Sequence, residues 1–276
     1  MGVLNVTPDS FADGGRPLDP DRSVEDGLRM AGQGADLIDV GGESTRPGAV
    51  PLPAEEERRR VVPVIRRLAS RLALPISVDT YKAEVARAAL AEGATIVNDM
   101  SALRYDPAIA DVVAEARAGL ILMHSRGRSR QMYREAVYRD VAREVIDELR
   151  RSLDQATQAG VPRGSILLDP GLGFAKRADQ SFAALGALHA IGRLGCPIVV
   201  GPSRKSFLTA AIGEVPPPER VWATAAAVTA AVMLGAHVVR VHDVEPMVDV
   251  VRVADRVRAT IERASPDGEH GACRDE

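Results

Sequence analysis

Alternation of strand and helix repeated eight times, the pattern of a single-domain α/β protein of the (β/α)8 barrel class, is what this sequence predicts. Three observations predict it. First, short runs rich in Val, Ile and Leu recur along the chain: GVLNV (2–6), DLIDVGG (36–42), PISVDT (75–80), TIVND (95–99), GLILMH (119–124), SILLDPG (165–171), CPIVVGP (196–202) and HVVRVHD (237–243). Their near-continuous apolar content is that of strands buried on both faces. Second, segments with helical periodicity lie between them, among them 23–35, 54–72, 83–94, 140–160 and 219–236. Third, most of these segments close on Gly, as helix C-termini prefer.

The count and the length match a barrel better than a doubly wound open sheet. The latter carries a Gly-rich G-x-G-x-x-G first turn, and nothing after residues 2–6 has that form. No linker interrupts residues 1–264, and the polar stretch SPDGEHGACRDE (265–276) reads as a frayed tail.

Composition narrows the function classes. With 35 Lys+Arg against 38 Asp+Glu, the formal net charge is -3. Such a balance gives no general attraction to nucleic acid or to an anionic membrane, so any anion site must be local. No run approaches the roughly 20 apolar residues that cross a bilayer. The two cysteines, Cys196 and Cys273, show no metal or disulfide spacing, which points to a reducing, cytoplasmic setting.

Polar residues gather where the strands end. Asn5, Glu43, Asp79, Asn98, Asp99, His124, Asp169, Arg204, Lys205, Arg240 and His242 all fall at or just beyond the C-terminal end of a predicted strand. In a barrel those ends converge on one face, where active sites are built. Each residue also has a plain structural reading. Asp79 or Asp99 can cap the following helix. Asp169, followed by Pro170-Gly171, can form an Asx-turn. His124 can be a satisfied structural histidine. Arg240 differs because it interrupts an apolar strand, where an unpaired cation costs several kcal/mol.

Cations on the last two strand ends, Arg204, Lys205 and Arg240, occupy the place where barrels bind phosphate. Opposite them, Asp79, Asn98 and Asp169 offer acceptors and an amide. Such a set suits a flat, donor-rich heterocycle with an amidine-like edge. Two further segments, TPDSFADGG (7–15) and ESTRPGA (43–49), are turn-prone and suited to closing over a ligand. Phe11 strengthens that reading, since an aromatic on a loop tip wants a partner.

The motifs MGVLNVTPDSFADGG, DLIDVGGESTRPGA, ISVDT, IVNDMSA, LMHSRG, LLDPGLGFAK, VGPSRKSF and VRVHDV resemble, in order and spacing, those of the bacterial dihydropteroate synthase family, a pterin-binding TIM-barrel family. The likeness runs from residue 1 to about residue 262. Departures are Ala12 where many relatives have Ser, Ser125 in LMHSRG, and Met1 already within the first strand motif.

That resemblance implies a transferase that joins 6-hydroxymethyl-7,8-dihydropterin diphosphate to 4-aminobenzoate, with Mg2+ as cofactor and a homodimeric assembly. It implies pterin contacts from Asp79, Asn98, Asp169 and Lys205, with Met123 and Phe174 along the pocket. It assigns the diphosphate to Asn5, Arg240 and His242, Asn5 acting through Mg2+. Phe11, Thr45, Arg46, Pro47 and Ser206 would form the aminobenzoate site. Catalytic duty would then fall on Asp79, Asp169, Lys205, Arg240 and His242. The implied route is dissociative, although direct displacement stays open at this stage. Two rivals share parts of the pattern: a methyltetrahydrofolate methyltransferase barrel and a pterin-binding paralogue without turnover. The SRK and RVH cations speak against the first, since a methyl donor has no diphosphate. The complete loop motifs speak against the second.

Overall fold

The computed structural model describes residues 1–7, 19–44, 48–127 and 133–264. Strands β1 (Gly2–Asn5), β2 (Ile38–Gly41), β3 (Ile76–Asp79), β4 (Ile96–Asp99), β5 (Gly119–Met123) and β6 (Ile166–Asp169) form a parallel six-stranded sheet in chain order. Strands β7 (Val199–Val200) and β8 (Val238–Val239) pair in parallel with each other. Two parallel bridges, Leu168 with Ile198 and Gly2 with Val241, join this pair to both edges of the larger sheet. Backbone hydrogen bonds from Val3 N–H to Val241 O and from Val241 N–H to Met1 O, both 3.0 Å, complete the seam. The sheet therefore closes into the expected eight-stranded barrel. β7 is short because Pro197 and Pro202 flank it, and neither has an N–H for a ladder.

Helices cover the outside. α1 (Pro20–Gly32), α2 (Ala54–Ala69), α3 (Ala83–Ala91), α4 (Ala108–Ala116) and α5 (Val141–Gln158) each follow one strand. α6 (Ala178–Gly186) and α7 (Leu188–Gly192) lie between β6 and β7, α8 (Thr209–Ile212) and α9 (Val221–Met233) between β7 and β8, and α10 (Val244–Ala264) comes last. α1 starts earlier than its apolar periodicity suggests. Asp19 caps it by accepting the Asp21 N–H at 3.0 Å, and Pro20 fits the first turn. The helix ends read from glycine hold: Gly34, Gly93, Gly160 and Gly235 adopt φ between +95° and +107°.

Alternation along the strands separates two cores. Residues such as Leu4, Ile38, Val40, Ile76, Val78, Leu120 and Leu122 face outward and pack under the helices. Met1, Leu37, Ile96, Ile121, Leu167, Val199 and Val238 form a separate cluster that fills the barrel's interior near its N-terminal end. Successive side chains of a strand point to opposite faces, so the residue two positions on returns to the interior. Those next positions are Asp39, Asn98, Met123, Asp169, Gly201 and Arg240. Along β2, β4, β6 and β8 the interior thus changes from hydrocarbon to polar and charged groups, while Val3, Met123 and Gly201 keep the corresponding positions of β1, β5 and β7 apolar.

Candidate active site

A cleft opens at this charged level, lined by Asp79, Asn98, Met100, Met123, Asp169, Gly171, Leu172, Phe174, Gly201, Lys205 and Arg240. Seven of these are residues that the sequence nominates for one pocket: Asp79, Asn98, Met123, Asp169, Phe174, Lys205 and Arg240. Gly201 lies against Arg240, whose Cβ is 3.8 Å from where a Gly201 Cβ would stand, an ordinary packing distance.

Arg240 has the partners that its burial demands. Its Nε donates to Asp39 Oδ2 at 2.6 Å and its Nη2 to Asp79 Oδ2 at 2.7 Å. Asn98 Nδ2 donates to the same Asp39 oxygen at 3.1 Å. Asp39 is fully buried and was not singled out from sequence. Its signal was available: a carboxylate within DLIDV is as odd as a guanidinium within HVVRV. With one amide N–H given to Asp39, Asn98 also holds Oδ1, a buried acceptor that has no partner among the described residues. Leaving such an acceptor unmet costs about 1–3 kcal/mol. Burial raises the Asp79 pKa, with Arg240 pulling it back and Asp39 pushing it further.

Asp169 combines its two expected readings. One oxygen, Oδ1, accepts the Gly171 N–H at 2.7 Å, as an Asx-turn requires, while the carboxyl still lines the cleft. Burial raises its pKa as well. Lys205 lies with Nζ 3.8 Å from the centre of the Phe174 ring. That contact is a cation–π interaction, worth up to about 2 kcal/mol when desolvated. Burial and the neighbouring Arg240 lower the Lys205 pKa to about 8.

His242 stands beside this wall as a neutral ring. Burial and the surrounding cations Arg240, Arg204 and Lys205 hold its pKa down at about 3. Ser203 Oγ accepts the His242 backbone N–H at 3.1 Å and lies 3.0 Å from Nδ1. The hydroxyl keeps a second lone pair and a proton of its own, so it pairs with Nδ1 in either tautomer of the ring. His242 is thus a neutral imidazole, with one N–H and one acceptor nitrogen. Asn5 ends β1, and its Oδ1 converges with Asp79 Oδ2 above Gly41: a Cβ there would lie 3.8 and 3.6 Å from the two oxygens. Ser206 follows Lys205 and is exposed.

Four strand-end residues, Glu43, Asp99, His124 and Arg204, do not join the cleft: Glu43 accepts from the Tyr81 hydroxyl at 2.6 Å, and Asp99 accepts the Ser101 and Leu103 N–H groups at 2.8 and 2.6 Å. Arg204 is paired with Asp243, its Nε donating to Oδ2 at 2.9 Å, and so leaves the cationic wall to Lys205 and Arg240. His124 is buried between Lys176 and Glu148, with Nδ1 2.8 Å from Lys176 Nζ and Nε2 3.0 Å from Glu148 Oε2. Its pKa falls to about 4, chiefly through burial and then through Lys176. Phe11, Thr45, Arg46 and Pro47 lie outside the described residues.

A family model described as pterin binding enzyme matches residues 1–242. Dihydropteroate synthase of Mycobacterium leprae (strain TN) is 50% identical over 259 residues, covering 92% of this chain and 91% of that protein. The Synechocystis enzyme of the same name is 45% identical over 255 residues, covering 92% and 88%. Among solved structures, Xanthomonas albilineans dihydropteroate synthase with 4-aminobenzoic acid superposes with a TM-score of 0.88 at 45% identity, covering 94% of this chain and 92% of that one. Yersinia pestis dihydropteroate synthase in complex with a sulfonamide drug gives a TM-score of 0.89 at 37% identity, covering 94% of each chain. With likeness of this strength over nearly the whole length, the chain belongs to the pterin-binding enzyme family, among the dihydropteroate synthases.

Proposed function

We propose that this protein condenses 6-hydroxymethyl-7,8-dihydropterin diphosphate with 4-aminobenzoate, giving 7,8-dihydropteroate and diphosphate. The observation that carries the reading is the unmet acceptor Asn98 Oδ1, set between two buried carboxylates in a cleft whose far wall is cationic. A pterin edge presents N–H donors in a plane, and Asp79, Asn98 and Asp169 would accept them. Met123 would pack along the ring, and Phe174 beside it would keep Lys205 in place.

Departure of diphosphate is the demanding step, because negative charge grows on the leaving oxygen as the C–O bond lengthens. Donors that are already oriented stabilise that charge without further reorganisation. Two of the five N–H groups of Arg240 are committed to Asp39 and Asp79, which leaves three for the diphosphate. His242 adds a neutral imidazole, which in its Nε2–H tautomer would donate to the diphosphate, and Lys205 adds a cation. Positive charge left on the pterin methylene would be favoured by Asp79 and Asp169. The amine of 4-aminobenzoate is neutral and nucleophilic, so its attack needs no strong base. Its site would be completed by Phe11, Thr45, Arg46, Pro47 and Ser206.

Magnesium fits this arrangement as a companion of the substrate. Among the described residues no group of three or more His, Cys, Asp or Glu could hold a metal. Mg2+ keeps several waters and binds through one or two protein oxygens plus substrate phosphates, and Asn5 Oδ1 is such an oxygen. When bound there it would supply charge neutralisation to the diphosphate.

The assembly we propose is a homodimer built on α9 and α10. α9 is apolar on all sides, the pattern of a helix covered on both faces. Beside it, Val253, Val257 and Ile261 form a stripe at four-residue spacing, 66%, 48% and 51% exposed, and Trp222 is 83% exposed. Sedimentation as a monomer at micromolar concentration would overturn this assignment. A cytoplasmic location agrees with the buried free thiol of Cys196, and no helix among the described residues is long and apolar enough to cross a membrane.

The test is direct. Purified protein given the pterin diphosphate, Mg2+ and 4-aminobenzoate should release dihydropteroate and one diphosphate per turnover. Absence of product with a folded protein would refute the function.

A further inference from the structure

Lys176 is buried to 1% exposure and does not itself line the cleft, yet its Nζ holds the backbone of two residues that do, Gly171 and Phe174. Its Nζ contacts His124 Nδ1 at 2.8 Å, Gly171 O at 3.1 Å, Phe174 O at 3.2 Å and, more distantly, His124 O at 3.4 Å. Burial lowers the Lys176 pKa to about 7, and in the charged form its three N–H groups match the three shorter contacts.

The segment this lysine holds is strained. Between Asp169 and Lys176, Gly171, Gly173 and Ala175 adopt φ of +66°, +76° and +48°. Ala175 has no glycine's freedom there, so the conformation persists only if the surroundings impose it. The segment also runs very close to β5: a Cβ on Gly171 would stand 1.9 Å from His124 O. Asp169 begins this segment and Phe174 lies within it, and both line the cleft. The two carbonyls that Lys176 binds belong to Gly171, whose N–H orients the Asp169 carboxylate, and to Phe174, whose ring carries Lys205.

We infer that Lys176 is a positioning residue for the pterin pocket: its ammonium, anchored on the His124 ring, fixes residues 169–176 so that Asp169 and Phe174 face the ligand. His124 serves as the acceptor because Glu148 takes the proton side of its ring at Nε2. The inference rests on the pterin reading of the cleft and assigns to Lys176 and His124 a duty that contact with substrate would not reveal.

The experiment compares two ligands that use opposite walls. Lys176→Met removes the donors while keeping an unbranched chain. In calorimetry, 6-hydroxymethylpterin should bind the variant at least tenfold more weakly than the wild type. Inorganic diphosphate with Mg2+, which keeps Arg240 and His242 even if Lys205 shifts with Phe174, should change less than threefold. Equal losses for both ligands, or undiminished pterin affinity, would overturn the inference. Should the variant fail to fold, wild-type protein with 15N-labelled lysine supplies the second measurement. The Lys176 ammonium resonance should shift on adding the pterin and stay in place on adding diphosphate, and an unresponsive resonance overturns the inference. Wild-type protein that binds no pterin at all would instead refute the reading on which it rests.

Discussion

Two networks of buried charge lie about the C-terminal ends of the strands, and they differ in one respect. The inner one, Asp39, Asp79, Asn98 and Arg240, fills the barrel at the level of the cleft. The outer one, Lys176, His124, Glu148 and Arg126, lies behind β5 and β6. In the outer network every member is satisfied. Lys176 has its full set of acceptors, both nitrogens of His124 are engaged, and Glu148 uses Oε2 for His124 and Oε1 for Arg126. In the inner network Asp39 Oδ1 and Asn98 Oδ1 stay without a partner among the described residues. Both networks hold groups with displaced pKa values, and both border a cleft. Displaced titration therefore does not separate a binding site from a structural lock. Unmet hydrogen-bonding capacity on a side chain that lines the cleft, as at Asn98, does; Tyr138 Oη, whose ring stacks on Arg126, also has no partner among the described residues but lines neither cleft.

The largest effect should come from breaking the inner network at its centre. Arg240→Met leaves Asp39 and Asp79 facing each other without a cation. Removing one partner of a buried pair costs about 3–5 kcal/mol, so thermal denaturation should show a marked loss of stability together with loss of turnover. Arg240→Lys retains charge but not the two-pronged geometry, and should keep the fold while lowering activity by at least a hundredfold. A stable, active Arg240→Met would mean that the inner network is as dispensable as a surface pair.

Second in size is Asp169→Asn. The carboxylate becomes an amide that presents an N–H where the ring needs an acceptor. A charge-assisted hydrogen bond contributes roughly 1.5–3 kcal/mol, so pterin affinity should fall about ten- to a hundredfold by calorimetry. Because Asp169 Oδ1 also accepts the Gly171 N–H, the amide can keep the turn by orienting its oxygen toward it. Unchanged affinity would leave Asp169 with the turn as its sole role.

Much of this was legible in the sequence because the barrel turns a one-dimensional rule into a place. A polar residue at the end of an apolar run needs no further information to be brought to the common face, and Asp79, Asn98, Asp169, Lys205 and Arg240 all arrive there. What the sequence could not distinguish was direction within that face. Arg204 and Lys205 are adjacent, yet Arg204, held at φ +57°, turns to Asp243 while Lys205 enters the cleft. Nor could charge state be read: His242 is a cation by residue type only outside so cationic a neighbourhood. Asp39 escaped notice because it lies one step below the strand end, where apolar residues are the rule.

A third expectation uses pH to sharpen the contrast between the walls of the cleft. The Lys205 pKa is lowered to about 8, first by burial and then by Arg240. Below that pH the side chain is a cation, and above it the charge is lost. Affinity for an anionic substrate should therefore decline as pH rises through about 8. The decline belongs to the free protein, so it should appear in kcat/KM more than in kcat, since bound diphosphate would hold the proton on. Lys205→Arg, charged throughout, should abolish this limb whatever its effect on rate. Persistence of the limb in that variant would assign it to another group.

The smallest effect is expected at Arg204, and it tests the division between the two adjacent cations. Arg204 meets Asp243 in a partly exposed pair, with side chains 30% and 19% exposed. Pairs of this kind contribute about 1 kcal/mol or less. Its backbone lies in the left-handed region, which Asn tolerates better than most residues, so Arg204→Asn removes the charge while easing the conformation. The two changes oppose each other. In a chain of this size 1 kcal/mol shifts Tm by roughly 2–4 °C, so the net shift should stay within that range. Affinity for the pterin diphosphate should change less than twofold, because the guanidinium lies outside the cleft. A tenfold loss would place Arg204 in the cationic wall after all, and the pairing with Asp243 would then have to open when diphosphate binds.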